Sequence, residues 1–214
     1  MNFIMKYLKS FIGAQRIQHN HKKYGTKLNC NYNMDTDIVW IDLEMTGLNV
    51  DKDKIIEIAC LITDSNLQIK SSDFHTIIHQ SDELINGMDE WCKQTHGKSG
   101  LIDAIRKSNV TMIDAEEQLL NFIMEYVKQE KTCPLAGNSI YMDRLFIKKL
   151  MPRIDDYLHY RIIDVSSIKE LARRWYPNVA ENMPKKKLAH RAIDDIKESI
   201  TELKYYRSNI FKNL

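Results

Sequence analysis

Cysteine, proline and glycine are all scarce: 4 Cys, 4 Pro and 7 Gly in 214 residues. Cys30, Cys60, Cys92 and Cys133 form no CxxC pair. That excludes a zinc ribbon or a thioredoxin-type motif, and the four read as reduced thiols. So little Pro and Gly excludes collagen-like and linker-rich chains. No apolar run reaches the ~18 residues of a membrane-spanning helix. Acidic residues are missing from 1–34, which carry Lys6, Lys9, Arg16, Lys22, Lys23 and Lys27. The net charge of +2 is therefore an average of two parts. Residues 35–214 hold 25 basic against 29 acidic side chains, a net charge of −4. A body of that sign is not held to nucleic acid by bulk positive charge, which argues against a long duplex as partner. Its composition, 43% hydrophobic and 28% charged in the whole chain, is that of a globular domain.

The division predicts two segments, a basic leader over 1–34 and one catalytic-size domain over 35–214. Phe3, Ile4, Met5, Leu8, Phe11 and Ile12 recur at helical spacings among lysines. A basic, acid-free, weakly amphipathic start is the composition of an organelle transit peptide, so a mitochondrial address is expected. The alternative is an extension with no address. Met34 offers a second start, for a leaderless cytoplasmic form. His19 and His21 make an HxH without a third ligand.

In the body, β-rich runs at Ile38–Met45, Ile55–Thr63 and Asp73–His79 predict three consecutive strands. Helices are expected over Asp89–His96, Leu101–Lys107 and Thr111–Lys128, the last with the clearest 3.6-residue period. Pro134–Gly137 reads as a strand and Ile140–Leu150 as a helix. Ile162–Val165 reads as a further strand, Ser166–Trp175 as a helix capped by Ser166, and Ala192–Tyr206 as the last helix. The pattern predicts an α/β domain with a mixed five-stranded sheet flanked by helices.

Asp42 and Glu44 break the first strand's apolar run. At i and i+2 they project from one face of a strand otherwise fit for burial. Two like charges side by side are costly there unless something positive lies between them. An all-oxygen ligand set suits Mg²⁺ or Mn²⁺ rather than zinc. Asp143 begins a helix just after a short strand, and His190 stands five residues before Asp195. Four carboxylates and one histidine are what a two-metal phosphoryl hydrolase needs. Spacing leaves Asp194 and Asp195 both eligible. Asp195 shares its side with Ala192 and Ser199, whose small side chains permit close approach to a sheet.

The segments IVWIDLEMTGL (38–48), AGNSIYMD (136–143) and HRAIDD (190–195) resemble the three exonuclease motifs of the DEDDh superfamily. IIDVSSIKELARRWYP (162–177) and IDDIKESITELKYYR (193–207) are similar to the oligoribonuclease family, small-RNA exonucleases of bacteria and mitochondria. The resemblance spans nearly the whole body. It implies an RNase H-like fold, a homodimer, and 3′→5′ hydrolysis of very short RNAs, dinucleotides above all, to 5′-mononucleotides. By motif position it implies Asp42, Glu44, Asp143 and Asp195 as ligands of two divalent ions and His190 as general base. It places Leu48 as a wedge between two bases, with Trp91 and His96 beside the substrate. Ser139, Arg161 and Ser166 would cap a 5′ phosphate, and Tyr160 would reach in from a partner subunit. Such a cap excludes long RNA by closing the site.

Two rivals stand beside this reading: another DEDDh exonuclease acting on DNA or tRNA ends, and a catalytically silent RNA-binding module. His96-Gly97-Lys98-Ser99 is no P-loop end, because Cys92 stands where the first glycine is required. Lys185-Lys186-Lys187 reads as a solvated loop or an RNA-facing patch. Tyr205-Tyr206 reads as packing or dimer surface.

Overall fold

A computed structural model describes residues 37–184 and 191–211. The basic leader, Met34, the triple lysine and His190 lie outside these residues.

Eight residues of β1 (Ile38–Met45) alternate between two cores. Val39, Ile41 and Leu43 enter one and Ile38 and Trp40 the other, the period-2 pattern of a strand covered on both faces. β2 (Ile55–Thr63) is buried along its whole length. It pairs antiparallel with β1 and with β3 (Phe74–Ile77). β4 (Pro134–Gly137) runs parallel to β1, and β5 (His159–Asp164) parallel to β4. The sheet order is β3-β2-β1-β4-β5, the expected mixed five-stranded sheet.

Helices cover both faces. α1 (Asp82–Asn86), α2 (Glu90–Lys98) and α3 (Leu101–Lys107) bury Ile85, Cys92, Leu101 and Ile105 against Ile56. α4 (Met112–Tyr126), α5 (Tyr141–Leu150) and α6 (Pro152–Tyr157) fill the core on the Ile41 face with Leu119, Ile123, Phe146, Ile147 and Ile154. On the Trp40 face lie α7 (Val165–Trp175) and α9 (Ala192–Asn209), after the short α8 (Pro177–Glu181). Ala192, Ile196, Ile200 and Leu203 form the apolar stripe of α9. Trp40 and Thr63 satisfy each other inside this layer, the indole N–H donating to the hydroxyl at 3.0 Å.

The strongest predicted helix starts on a capping box: Thr111 Oγ1 accepts from the Asp114 N–H, and Asp114 returns the bond to the Thr111 N–H. Two expectations are corrected. The cap of α7 is Asp164, whose carboxylate accepts the Ser166 N–H at 2.9 Å; Ser166 lies inside the first turn. β5 begins at His159 rather than Ile162, because the parallel pairing with β4 starts at His159–Pro134. α1, α6 and α8, of five or six residues each, are too short for a period to show. Tyr206 is buried, its hydroxyl 3.4 Å from Glu202 Oε1 and 3.5 Å from the Met183 sulfur.

Candidate active site

β1 carries its apolar alternation as far as Trp40. Asp42 and Glu44 then continue the same face toward α9. Opposite them on β2 stand Ala59 and Glu57, the small alanine leaving room beside Asp42. α9 docks on this face by Ala192 and Ile196. That docking brings the Asp195 carboxylate to Asp42 and Glu44, their ligand oxygens all within 4.8 Å of one another. Asp194 points outward and is exposed. Asp143, buried on the first turn of α5, accepts the Leu43 backbone N–H at 3.0 Å, which ties α5 to the middle of the acidic strand. The structure thus gathers all four predicted carboxylates at one end of the sheet.

Their protonation reflects the crowding. Burial, then the charges of Asp143, Glu44, Asp195 and Glu57, holds the Asp42 carboxyl well above the usual carboxylate range. Glu44 is pushed up to about 8 by burial and by Glu57, Asp195 and Asp143, with Arg191 pulling the other way. Burial raises Asp143 to about 7 against the bonds from the Leu43 and Asp143 N–H groups. A cluster that resists ionisation on its own is one that a divalent cation stabilises. The all-carboxylate donor set therefore fits a metal.

Glu57 is the functional-site residue that sequence reasoning missed. It is fully buried in β2, and its Oε1 accepts from His75 and from the Arg191 guanidinium at 3.2 Å. Arg191 is the residue before α9 and the one after His190. The signal was present: a lone glutamate inside Ile55–Thr63 needs partners of the opposite charge.

Beside the acidic group lies a groove of about 430 Å³ lined by Leu43, Glu44, Met45, Gly47, Leu48, Asp89, Trp91, Cys92 and His96. Leu48 and Trp91 are 67% and 64% exposed, large apolar side chains left open at its mouth. Leu48 is held on a clasped loop. Asp53 accepts from the Thr46 hydroxyl at 3.0 Å and from the Asn49 N–H at 2.8 Å. Gly47 leaves room for this clasp, since a Cβ there would meet the Asp53 Oδ2 at 2.5 Å and push the carboxylate from its place. His96 is buried under the groove, Nε2 at 3.1 Å from the Met45 carbonyl and Nδ1 at 3.9 Å from Glu44.

The third group is Ser139 and Ser166, whose hydroxyls are 3.2 Å apart. Ser139 adopts φ 52°, in the left-handed region, and its N–H is shared between Asp164 and Ser166. Ser166 sits in the first turn of α7, where the helix dipole favours an anion. Tyr160 and Arg161 lie on the exposed stretch of the edge strand β5, the guanidinium 5.2 Å from the centre of the tyrosine ring. The four carboxylates, the groove residues and the serine pair are each brought together. Tyr160 and Arg161 instead share the sheet edge.

No helix among the described residues is long and apolar enough to cross a membrane. A family model described as "Exonuclease" (RNase T) matches residues 39–203. The fold is similar to that of Escherichia coli exonuclease I in complex with a dA16 oligonucleotide, with a TM-score of 0.65 and 12% identity over 82% of this chain and 41% of that one. The exonuclease I of Methylocaldum szegediense gives 0.63 and 14% over 82% of this chain and 41% of that one. The chain thus spans about two fifths of those exonuclease I chains, and the likeness is one of fold. Sequence relatives are far nearer. The chain is 52% identical over 179 residues to the probable oligoribonuclease of Drosophila melanogaster, covering 84% of each chain. It is 52% identical over 188 residues to the mitochondrial oligoribonuclease of Homo sapiens, covering 88% of this chain and 79% of that one. It is 53% identical over 178 residues to the oligoribonuclease of Rhodococcus jostii, covering 83% of this chain and 89% of that one. With its acidic cluster on an exonuclease fold and this identity along most of its length, the chain belongs to the oligoribonuclease family of 3′→5′ exonucleases.

Proposed function

We propose that the chain hydrolyses short oligoribonucleotides, dinucleotides above all, to 5′-mononucleotides, using two divalent ions and a histidine base. The observation that carries this is the convergence of Asp42, Glu44 and Asp195 within 4.8 Å beside a groove that ends in exposed Leu48 and Trp91. Asp42, Glu44, Asp143 and Asp195 would hold Mg²⁺ or Mn²⁺. Such ions supply Lewis acidity at the scissile phosphodiester and favour hydroxide over water as nucleophile. His190 takes the proton from the attacking water. Leu48 separates the two bases, and Trp91 packs beside them. His96, held between Glu44 and the Met45 carbonyl, supports the same wall. Ser139, Arg161 and Ser166 grip the 5′ phosphate. That grip closes the far end and excludes a longer strand. Tyr160, 73% exposed on the edge strand, suits a role in the other protomer's site within a homodimer. The acidic body fits the same reading, since a dinucleotide offers few phosphates to a basic groove. The leader would direct the protein to mitochondria, with a cytoplasmic form starting at Met34.

Leu48→Ala tests the wedge. Truncation removes apolar contact with the bases worth about 1.5–3 kcal/mol for a leucine side chain covered by its partners, so kcat/KM on a dinucleotide should fall by roughly 10-fold or more. The rate on the p-nitrophenyl ester of a mononucleotide, which has one base, should barely change. Equal losses on both substrates would refute the wedge.

A further inference from the structure

We propose that Asn138 is a positioning residue that fixes the phosphate cap against the metal-bearing helix α9, so that the cap accepts a 5′ phosphate only at dinucleotide distance from the carboxylates. This rests on the reading of Ser139 and Ser166 as the cap. Asn138 lies in the turn between β4 and α5, and both ends of its amide are engaged. Oδ1 accepts the Ser166 hydroxyl at 3.1 Å. Nδ2 donates to Ser199 Oγ at 2.6 Å and to the Glu202 carboxylate at 3.3 Å.

The orientation of this amide follows from its partners. The single hydroxyl proton of Ser199 goes to the Asp195 carbonyl at 2.8 Å, so Ser199 can only accept from Asn138. The Glu202 carboxylate, paired with Lys169 at 3.4 Å, also only accepts. The nitrogen must therefore face α9 and the oxygen Ser166.

The result is a directed chain of hydrogen bonds from Ser139 through Ser166, Asn138 and Ser199 to the backbone of Asp195. Ser199 and Glu202 are buried, so the α9 end of the chain is shielded from competing water, while Asn138 and Ser166 are half-buried and Ser139 is exposed at the cap. A turn asparagine that merely satisfied its own loop would bond to neighbouring backbone. These partners instead lie 28, 61 and 64 residues away, on the two helices that carry the cap and the metal ligand.

The test compares a 5′-phosphorylated dinucleotide with the same dinucleotide lacking the 5′ phosphate, in the wild type, Asn138→Ala and Ser199→Ala. The wild type should prefer the phosphorylated substrate in kcat/KM. Asn138→Ala should shrink that preference by about 10-fold, the worth of one or two hydrogen bonds in position. Ser199→Ala, a small change on a helix, keeps the Asn138–Ser166 bond and should shrink the preference by about 3-fold with little change in Tm. Equal loss on both substrates in Ser199→Ala and in any folded Asn138→Ala would overturn the proposal and leave Asn138 a fold residue. A wild type indifferent to the 5′ phosphate would instead sink the cap reading, and the proposal with it.

Discussion

Asp42→Asn should lower hydrolysis by on the order of 10³-fold while making the metal-free protein harder to melt. The two effects share one cause. Asp42 sits among Glu44, Asp143, Asp195 and Glu57, and burial and these charges together oppose its ionisation. Without a cation the carboxylate is a cost that an isosteric amide removes. With a cation it is a ligand that an amide replaces poorly. The sign of the pH dependence follows. Glu44 rises from its ordinary 4.5 to about 8 in the folded chain, and Asp143 from 3.8 to about 7. Between these values the folded state binds more protons than the unfolded one, so metal-free stability falls as pH rises from about 4 to about 8. Melting in a chelator should thus give a Tm that declines across this window, less steeply in Asp42→Asn. Added Mg²⁺ or Mn²⁺ should restore the wild type most at the alkaline end, because binding displaces protons. An Asp42→Asn protein that melts below the wild type in chelator at pH 8, or that keeps its turnover, would contradict this account of the cluster.

His190→Ala should cost about 10²–10⁴-fold in rate and leave the metal-induced rise in Tm intact. The separation is expected because the four carboxylates, not the histidine, would hold the ions under the proposed mechanism. In the wild type, kcat/KM should drop toward acid pH, since a protonated imidazole accepts no proton. The variant should lose that limb, and added imidazole should restore part of the rate. Position matters as much as basicity here. Glu57 holds Arg191 at 3.2 Å, so the residue next to His190 is anchored to β2. Glu57→Gln should therefore weaken turnover more than metal binding. Unchanged turnover in His190→Ala would remove it as the base.

What could be read from the sequence was whatever violated a local pattern. Asp42 and Glu44 stood out because a strand fit for burial should not carry charge, and β1 proved to be the central strand they interrupt. The sheet and its longer helices were legible from periodicity, with Leu101–Lys107 and Pro134–Gly137 falling where expected. Spacing left Asp194 and Asp195 open, since both lie at the margin of one stripe. Only docking through Ala192 and Ile196 turns Asp195 inward. Glu57 broke the pattern of its strand too, but its partners, which show what it does there, lie 18 and 134 residues away at His75 and Arg191. The cap of α7 was misplaced by two residues because Asp164 closes β5 and opens the helix at once. The link from Ser166 to Ser199 joins two helices across a turn, and no window of sequence contains both ends.

The central claim is a metal-dependent enzyme that works on the shortest RNAs because its far end is closed. The direct measurement pits a 5′-labelled dinucleotide against an RNA of about 20 nucleotides at equal concentration, with Mg²⁺ or Mn²⁺ and again in chelator. The account predicts rapid conversion of the dinucleotide to 5′-mononucleotides, a longer RNA left nearly intact, and no reaction without metal. Faster trimming of the longer RNA, or dinucleotide hydrolysis that persists in chelator, would contradict it.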